Sequence, residues 1–153
     1  MIYKNILNKL EGKWICQKTV YFIRNNQVIY NKQKIEIKQV YNIHTLEKTK
    51  SMIYNYQLYN IKDNNKTYYL FLKEDKSEFG ELRKITNDEI KYYRFKTYKN
   101  NCIKIESIKK NIVYHEYIYL INPNFKVTIC LLKKNKNYLA TSFVSAIRVS
   151  NQL

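Results

Sequence analysis

A chain of 153 residues has the length of one domain, expected to span 1–153, and its core must come largely from Ile and from 16 Tyr. Against 12 Asp and Glu stand 28 Lys and Arg, a formal net charge of +16, so an anionic partner or ligand is expected: nucleic acid, an acidic protein or a carboxylate. No apolar run is long enough to span a bilayer and no signal peptide is seen, so a soluble protein without a membrane partner is expected.

Residues 2–10 place Ile2, Ile6 and Leu10 at four-residue spacing with Leu7 beside them, which predicts a short amphipathic helix ended by Gly12. Trp14 to Ile23 predicts a strand, turned by Arg24-Asn25-Asn26-Gln27. Val28 to Tyr30 and Ile35 to Tyr41 predict two strands broken at Asn31-Lys32, and 42–50 is polar with no assignable element. Met52 to Ile61 is a Tyr-rich run of imperfect alternation, closed by the turn Asp63-Asn64-Asn65-Lys66. Strands follow at Thr67 to Lys73, Glu81 to Ile85, Ile90 to Tyr98 and Cys102 to Ile108, separated by Asn-, Asp- and Lys-rich turns. The chain ends in a three-strand meander that opens at Ile112 and is divided by Asn122-Pro123-Asn124 and Asn135-Lys136-Asn137.

Nine or ten short strands without intervening helices predict an all-β, up-and-down antiparallel sheet. It is most economically closed as a barrel of about ten strands, because closure removes both edges. A barrel of that size can hold one small ligand. Strand alternation puts Phe125, Val127, Ile129 and Leu131 on one face and Lys126, Thr128 and Cys130 on the other. On the last strand Ser142, Ala146 and Arg148 share the more polar face, so Lys126 and Arg148 are expected in one patch: a solvated sheet face or the lining of an anion pocket.

No nucleophile elbow, phosphate loop, dinucleotide fingerprint or telling carboxylate pair is present. Cys16, Cys102 and Cys130 lack C-x-x-C spacing and His44 and His115 stand far apart, so no metal site is expected. The cations are 24 Lys and only four Arg, scattered with no Arg-rich tract, which counts against nucleic acid. A basic nucleic-acid-binding barrel remains an alternative. Tyr, Ile, Lys and Asn all have AT-rich codons, which points to an AT-rich genome such as an organelle's.

Three segments resemble the S-type phycobiliprotein chromophore lyases, the CpcS/CpeS family. Gly12-Lys13-Trp14-Ile15-Cys16-Gln17-Lys18-Thr19 is similar to that family's G-x-W-x-S-Q-R-T opening. Asn122-Pro123-Asn124-Phe125-Lys126-Val127-Thr128-Ile129-Cys130 is similar to its S-P-N-L-R-x-R-T-S. Ala140-Thr141-Ser142-Phe143-Val144-Ser145-Ala146-Ile147-Arg148 is similar to its A-S-F-x-S-E-I-R close, and Gly80-Glu81-Leu82-Arg83 resembles a fourth, weaker segment. Their order and strand context match.

The resemblance implies a lipocalin-like, or fatty-acid-binding-protein-like, barrel with a short N-terminal helix. It implies a linear tetrapyrrole, phycocyanobilin or phycoerythrobilin, as bound substrate, with no prosthetic group. The acceptor would be the cysteine of a phycobiliprotein α or β subunit, joined to the bilin by a thioether. A non-catalytic bilin carrier is the alternative within the same fold. Implied ligand contacts are Lys18, Lys126, Thr128, Cys130, Ser142, Ser145, Trp14 and Tyr119, with Arg148 and Glu116 as catalytic candidates. The family's Glu before Ile-Arg is Ala146 here, and its Arg positions are Lys18, Lys126 and Thr128. Lys keeps the charge of Arg without the bidentate fork, and Glu116 is the carboxyl expected to stand in.

If the motif face points inward, the row from Phe125 to Leu131 points outward and needs a cover. Either a second subunit or the helix covers it, or the motif face is the outer one; a dimer contact is expected. AT-rich codons and the missing presequence give plastid encoding and the stroma as the expected location.

Overall fold

Ten strands run antiparallel, each beside its neighbours in sequence, and β10 returns to pair with β1, closing the barrel. The computed structural model describes residues 4–40, 51–74 and 76–149. Helix α1 (Lys4–Lys9) precedes β1 (Gly12–Phe22), β2 (Gln27–Gln39), β3 (Ser51–Asn60), β4 (Asn65–Lys73) and β5 (Gly80–Ile85). There follow β6 (Ile90–Tyr98), β7 (Cys102–Lys109), β8 (Ile112–Asn122), β9 (Phe125–Lys134) and β10 (Asn137–Arg148). The all-β barrel with one short helix is the architecture that alternation and turn spacing predicted.

One expectation is corrected. Val28–Tyr30 and Ile35–Tyr41 do not form separate strands: β2 is continuous, with Asn31 opposite Lys18 and Lys32 opposite Gln17 in an unbroken ladder with β1. Polar residues persist there because that end of β2 faces solvent. The imperfect alternation after Met52 has a physical cause, a register shift between Met52 and Tyr54 against β4. Ile2, Tyr41 and 42–50 lie outside the described residues.

The turns at one end use left-handed backbone, at Asn26, Asn64, Lys110, Asn135 and Lys136. Asn tolerates that region better than most residues, which explains why a chain with two glycines can make so many tight hairpins.

Barrel closure decides which parity faces in. Trp14, Cys16, Lys126 and Ala146 are buried, whereas Phe143 is 48% and Ile147 60% exposed. The motif face is therefore the inner one and the apolar face of β9 and β10 the outer one. The core clusters at one end of the barrel, where Ile6, Leu7 and Leu10 pack with Trp14, Ile37, Tyr56, Phe71 and Phe95. Ring contacts run through it, Phe71 lying edge-on to Phe95 at 5.1 Å and Tyr56 edge-on to Phe71 at 6.2 Å.

Candidate functional site

The core end of the barrel is a sealed floor. The Trp14 indole Nε1–H donates to the Leu10 carbonyl at 3.0 Å, tying β1 to the segment that follows α1. The Arg148 guanidinium donates from Nε to the Pro123 carbonyl at 2.8 Å and from its two terminal nitrogens to the carbonyls of Glu11 and Lys9. It also lies over the Trp14 ring, 4.3 Å from the centroid. Carbonyls left over at a helix C-terminus are natural partners for an Arg. Gly12 is required beneath it: its φ is +141°, and a Cβ there would collide with the Arg148 guanidinium.

Above the floor is a cavity of about 370 Å³, within the span of about 300–1,000 Å³ usual for small-molecule sites. Its charged lining is three lysines, Lys18, Lys84 and Lys126, and one carboxyl, Glu116. Tyr56, Tyr69, Tyr93 and Tyr114 supply aromatic walls. None of the three ammonium groups is in an ion pair within 4.0 Å among the described residues; instead Lys84 lies over the Tyr69 ring at 5.7 Å and Lys126 over Trp14 at 4.6 Å. The Tyr56 hydroxyl is buried without a hydrogen-bond partner among the described residues.

Strand register sets these groups at two depths. Lys126 stands opposite Ala146 on β10 and Leu120 on β8, next to the floor. Glu116 stands opposite Cys130, four residues further along β9, or about 13 Å nearer the open end at ~3.3 Å per residue. Burial pulls the Lys126 ammonium down to about 8, aided by the Arg148 charge and opposed by Cys16 and Glu116. Burial pushes the Glu116 carboxyl up, with Lys84, Lys126 and Lys18 and a thiol hydrogen bond pulling it back. That thiol is Cys130, whose Sγ donates to Glu116 Oε1 at 3.7 Å while the Tyr114 hydroxyl donates to Sγ at 3.3 Å. Burial, then the Glu116 charge, push the Cys130 thiol up, so it is held as a thiol rather than a nucleophilic thiolate.

Of the residues expected at the site, Lys18, Lys126, Thr128, Cys130, Ser142 and Glu116 meet in this cavity. Four others do not. Tyr119 is on the outer face, stacked on Tyr117 at 6.3 Å and paired with Cys102 and Val127. Ser145 is also outside, opposite Gln17 and Val127. Both have the opposite parity to their inward neighbours Glu116 and Ser142. Trp14 is 1% exposed and belongs to the floor beneath the cavity. Arg148 shares Trp14 with Lys126, but its guanidinium is engaged by backbone carbonyls rather than turned into the cavity.

Lys84 and the four tyrosines were not foreseen. Alternation within β5 could have revealed Lys84, which shares the parity of the buried Leu82; Arg83, singled out by its motif, pairs with Glu81 at 3.1 Å instead. Among the described residues no group of three or more metal-ligating side chains comes together, and no helix is long and apolar enough to cross a membrane.

No protein-family model matches the chain. A chromophore lyase CpcS/CpeS homologue of Gracilaria tenuistipitata var. liui is 56% identical over 151 residues, covering 99% of this chain and all of that one. Among solved structures, the S-type phycobiliprotein lyase CpeS of Guillardia theta has the same fold, with a TM-score of 0.72 at 16% identity over 99% of this chain and 95% of that one. A protein of unknown function from Nostoc punctiforme, of the DUF3598 family, matches with a TM-score of 0.57 at 14% identity, over 94% of this chain and 49% of its own. Identity over the full length, together with the barrel, places the chain in the CpcS/CpeS chromophore lyase family.

Proposed function

We infer that this barrel is a bilin lyase: it binds a linear tetrapyrrole and delivers it to a cysteine of a phycobiliprotein α or β subunit, forming a thioether. The observation that carries this is the cavity charge. Three ammonium groups face one carboxyl, and the walls are aromatic. A bilin has two propionates on a conjugated, largely apolar body, and charge-assisted bonds from buried lysines suit them.

Lys126 at the floor and Lys18 and Lys84 higher up are the propionate ligands, and the Tyr56 hydroxyl is free to donate to a carbonyl at the deep end. Glu116 is the acid. A carboxyl pushed up by burial is held closer to its protonated form, and a proton shared with a pyrrole nitrogen leaves ring A more electrophilic. The acceptor thiol adds across the ethylidene double bond: the carbon–sulfur bond forms, the thiol proton passes to the ring carbon, and nothing is oxidised or reduced. The lyase's own Cys130 stays a thiol.

Arg148 acts from a distance by holding the floor under Lys126. Ser142, Thr128 and Cys130 line the wall between the cations. Ala146 favours a second possibility, a bilin carrier without transfer, because it puts no carboxyl beside Lys126, where the family motif has one.

Phycocyanobilin and phycoerythrobilin are the candidate substrates, and a visible spectrum tests both. Binding shifts and sharpens bilin absorbance; a lyase also leaves acid-stable colour on the acceptor, whereas a carrier leaves none. The absence of any shift with either bilin would overturn the function.

The outer stripe of Ile15, Phe143 and Ile147 runs across adjacent β1 and β10, and we assign it to contact with a second copy. Phe143→Glu should then give a monomer by sedimentation where the natural chain is dimeric. The AT-rich composition supports plastid encoding and a stromal site, which fractionation of the source cell would test.

A further inference from the structure

The mouth of the barrel, opposite the floor, has an asymmetric rim. Three turns adjoin there, β1–β2, β9–β10 and β7–β8, because β1, β10, β9, β8 and β7 are consecutive neighbours. Backbone bonds tie them together: Ile23 N–H donates to the Leu139 carbonyl at 3.0 Å, and Asn135 N–H to the Asn111 carbonyl at 3.1 Å. These turns and the strand ends beside them carry Arg24, Lys109, Lys110, Lys133, Lys134 and Lys136 and no carboxylate. The other side of the rim is mixed, with Asp63, Asp88 and Glu89 among its lysines and Lys91 paired with Glu89 at 3.4 Å. None of the six cations of the crescent is in an ion pair among the described residues.

A biased genome does not account for two lysines of this crescent. Lys110 and Lys136 sit at φ of 55° and 68°, in the left-handed region. Asn occupies that conformation at other turns, as at Asn26, Asn64 and Asn101, and tolerates it better than Lys. Lys and Asn codons are equally AT-rich, so composition does not favour Lys over Asn. The charge is retained at these two turns against the backbone preference.

Apolar groups are interspersed with the cations. Ile108 is 64% exposed, and Ile112 and Tyr138 nearly half. A recess of about 390 Å³ lies between Ile23, Arg24, Lys134 and Tyr138. Cations around apolar and aromatic anchors suit a protein surface better than a phosphate backbone, and four of the chain's 28 cations being Arg counts against base or phosphate forks.

We propose that this crescent docks an acidic face of the acceptor subunit beside the cavity mouth, so that the acceptor thiol meets the bilin there. The assignment rests on the lyase function and names where its protein partner binds. Docking by exposed charges acts mainly through the association rate and is weakened by salt.

The test compares two quadruple variants of equal charge change. One carries Lys109→Gln, Lys110→Asn, Lys134→Gln and Lys136→Asn; the other carries Lys32→Gln, Lys34→Gln, Lys62→Gln and Lys66→Gln. The Asn replacements suit their turns, so the first variant folds. Association with apo α and apo β subunits is followed by stopped flow without bilin, and bilin affinity is titrated separately. We expect the crescent variant to associate about 10- to 100-fold more slowly at low salt, with unchanged bilin affinity, while the second variant matches the natural chain. Equal association rates for natural and crescent proteins, or equal losses in the two variants, would overturn the docking site. So would a short DNA duplex that outcompetes both subunits at ~0.15 M salt and is released by the crescent variant. Failure to bind bilin by the natural chain would count against the lyase function alone, because association is read without bilin.

Discussion

Lys126 shows how a binding residue can oppose folding. Its ammonium is buried over Trp14 beside a cationic Arg148, with no carboxylate within ion-pair distance among the described residues. Its folded pKa of about 8 lies below its ordinary 10.5. Between those values the unfolded chain binds more protons, so this group makes stability rise with pH through that window. Lys126→Met should stabilise the free protein at pH 7 by about 1–3 kcal/mol and abolish the rise, as read by urea unfolding at pH 7, 9 and 10. The same change should weaken bilin binding, and the natural protein should lose affinity above about pH 8 as the charge is lost. Glu116 calls for a different signature. Glu116→Gln keeps the shape and removes the acid, so transfer to the acceptor should fall about 100-fold with little change in bilin affinity. Natural transfer should also decline as pH rises through the elevated pKa of Glu116, a decline absent in the variant.

Helix α1 is six residues long, too short to persist alone. It holds because Ile6 and Leu7 are fully buried and because Arg148 accepts the role of cap, bonding the carbonyls of Lys9 and Glu11. The first and last strands are thereby locked to the helix by one side chain. Arg148→Lys should cost about 2–3 kcal/mol, since one ammonium cannot reach three carbonyls that a planar guanidinium spans. Gly12→Ala should produce a similar loss by displacing that guanidinium and straining the backbone at φ +141°. Both are measured by urea midpoint. Addition of saturating bilin should restore part of the midpoint in each, because the cavity lysines are untouched.

At the scale of the whole molecule the barrel is polarised. One end is filled by helix and core, the middle holds the charged cavity, and one side of the far rim carries a crescent of cations that make no ion pair among the described residues. A surplus of +16 on such a body attracts any polyanion, so weak binding to DNA is expected. It should be independent of sequence and fall steeply with salt, as counterion release dictates. Fluorescence anisotropy with two unrelated duplexes, at low salt and at ~0.2 M, checks this. Sequence preference, or tight binding surviving the higher salt, would favour a nucleic-acid function over the lyase.

Strand number, turn positions and the grouping of Lys126 with Thr128 and Cys130 were legible in the chain, because a period of two and Asn-rich punctuation are local properties. The same period could have separated Glu116 from Tyr119 and Ser142 from Ser145, since each pair is an odd number of residues apart. What alternation cannot supply is the sign of the face. On β9 the apolar row is the outer one, and only its place between β10 and β8 in a barrel closed by β10 against β1 shows that the polar row encloses the cavity. Nor could the chain reveal what a long side chain reaches. Arg148 has the right parity for the cavity, yet its guanidinium extends to carbonyls of residues 123, 11 and 9. Lys84 comes from a strand with no strong motif and meets Lys18 and Lys126 across the barrel. Local pattern fixed the elements and which residues share a face; convergence from distant strands, which depends on register and closure, fixed which face is inner and assembled the site.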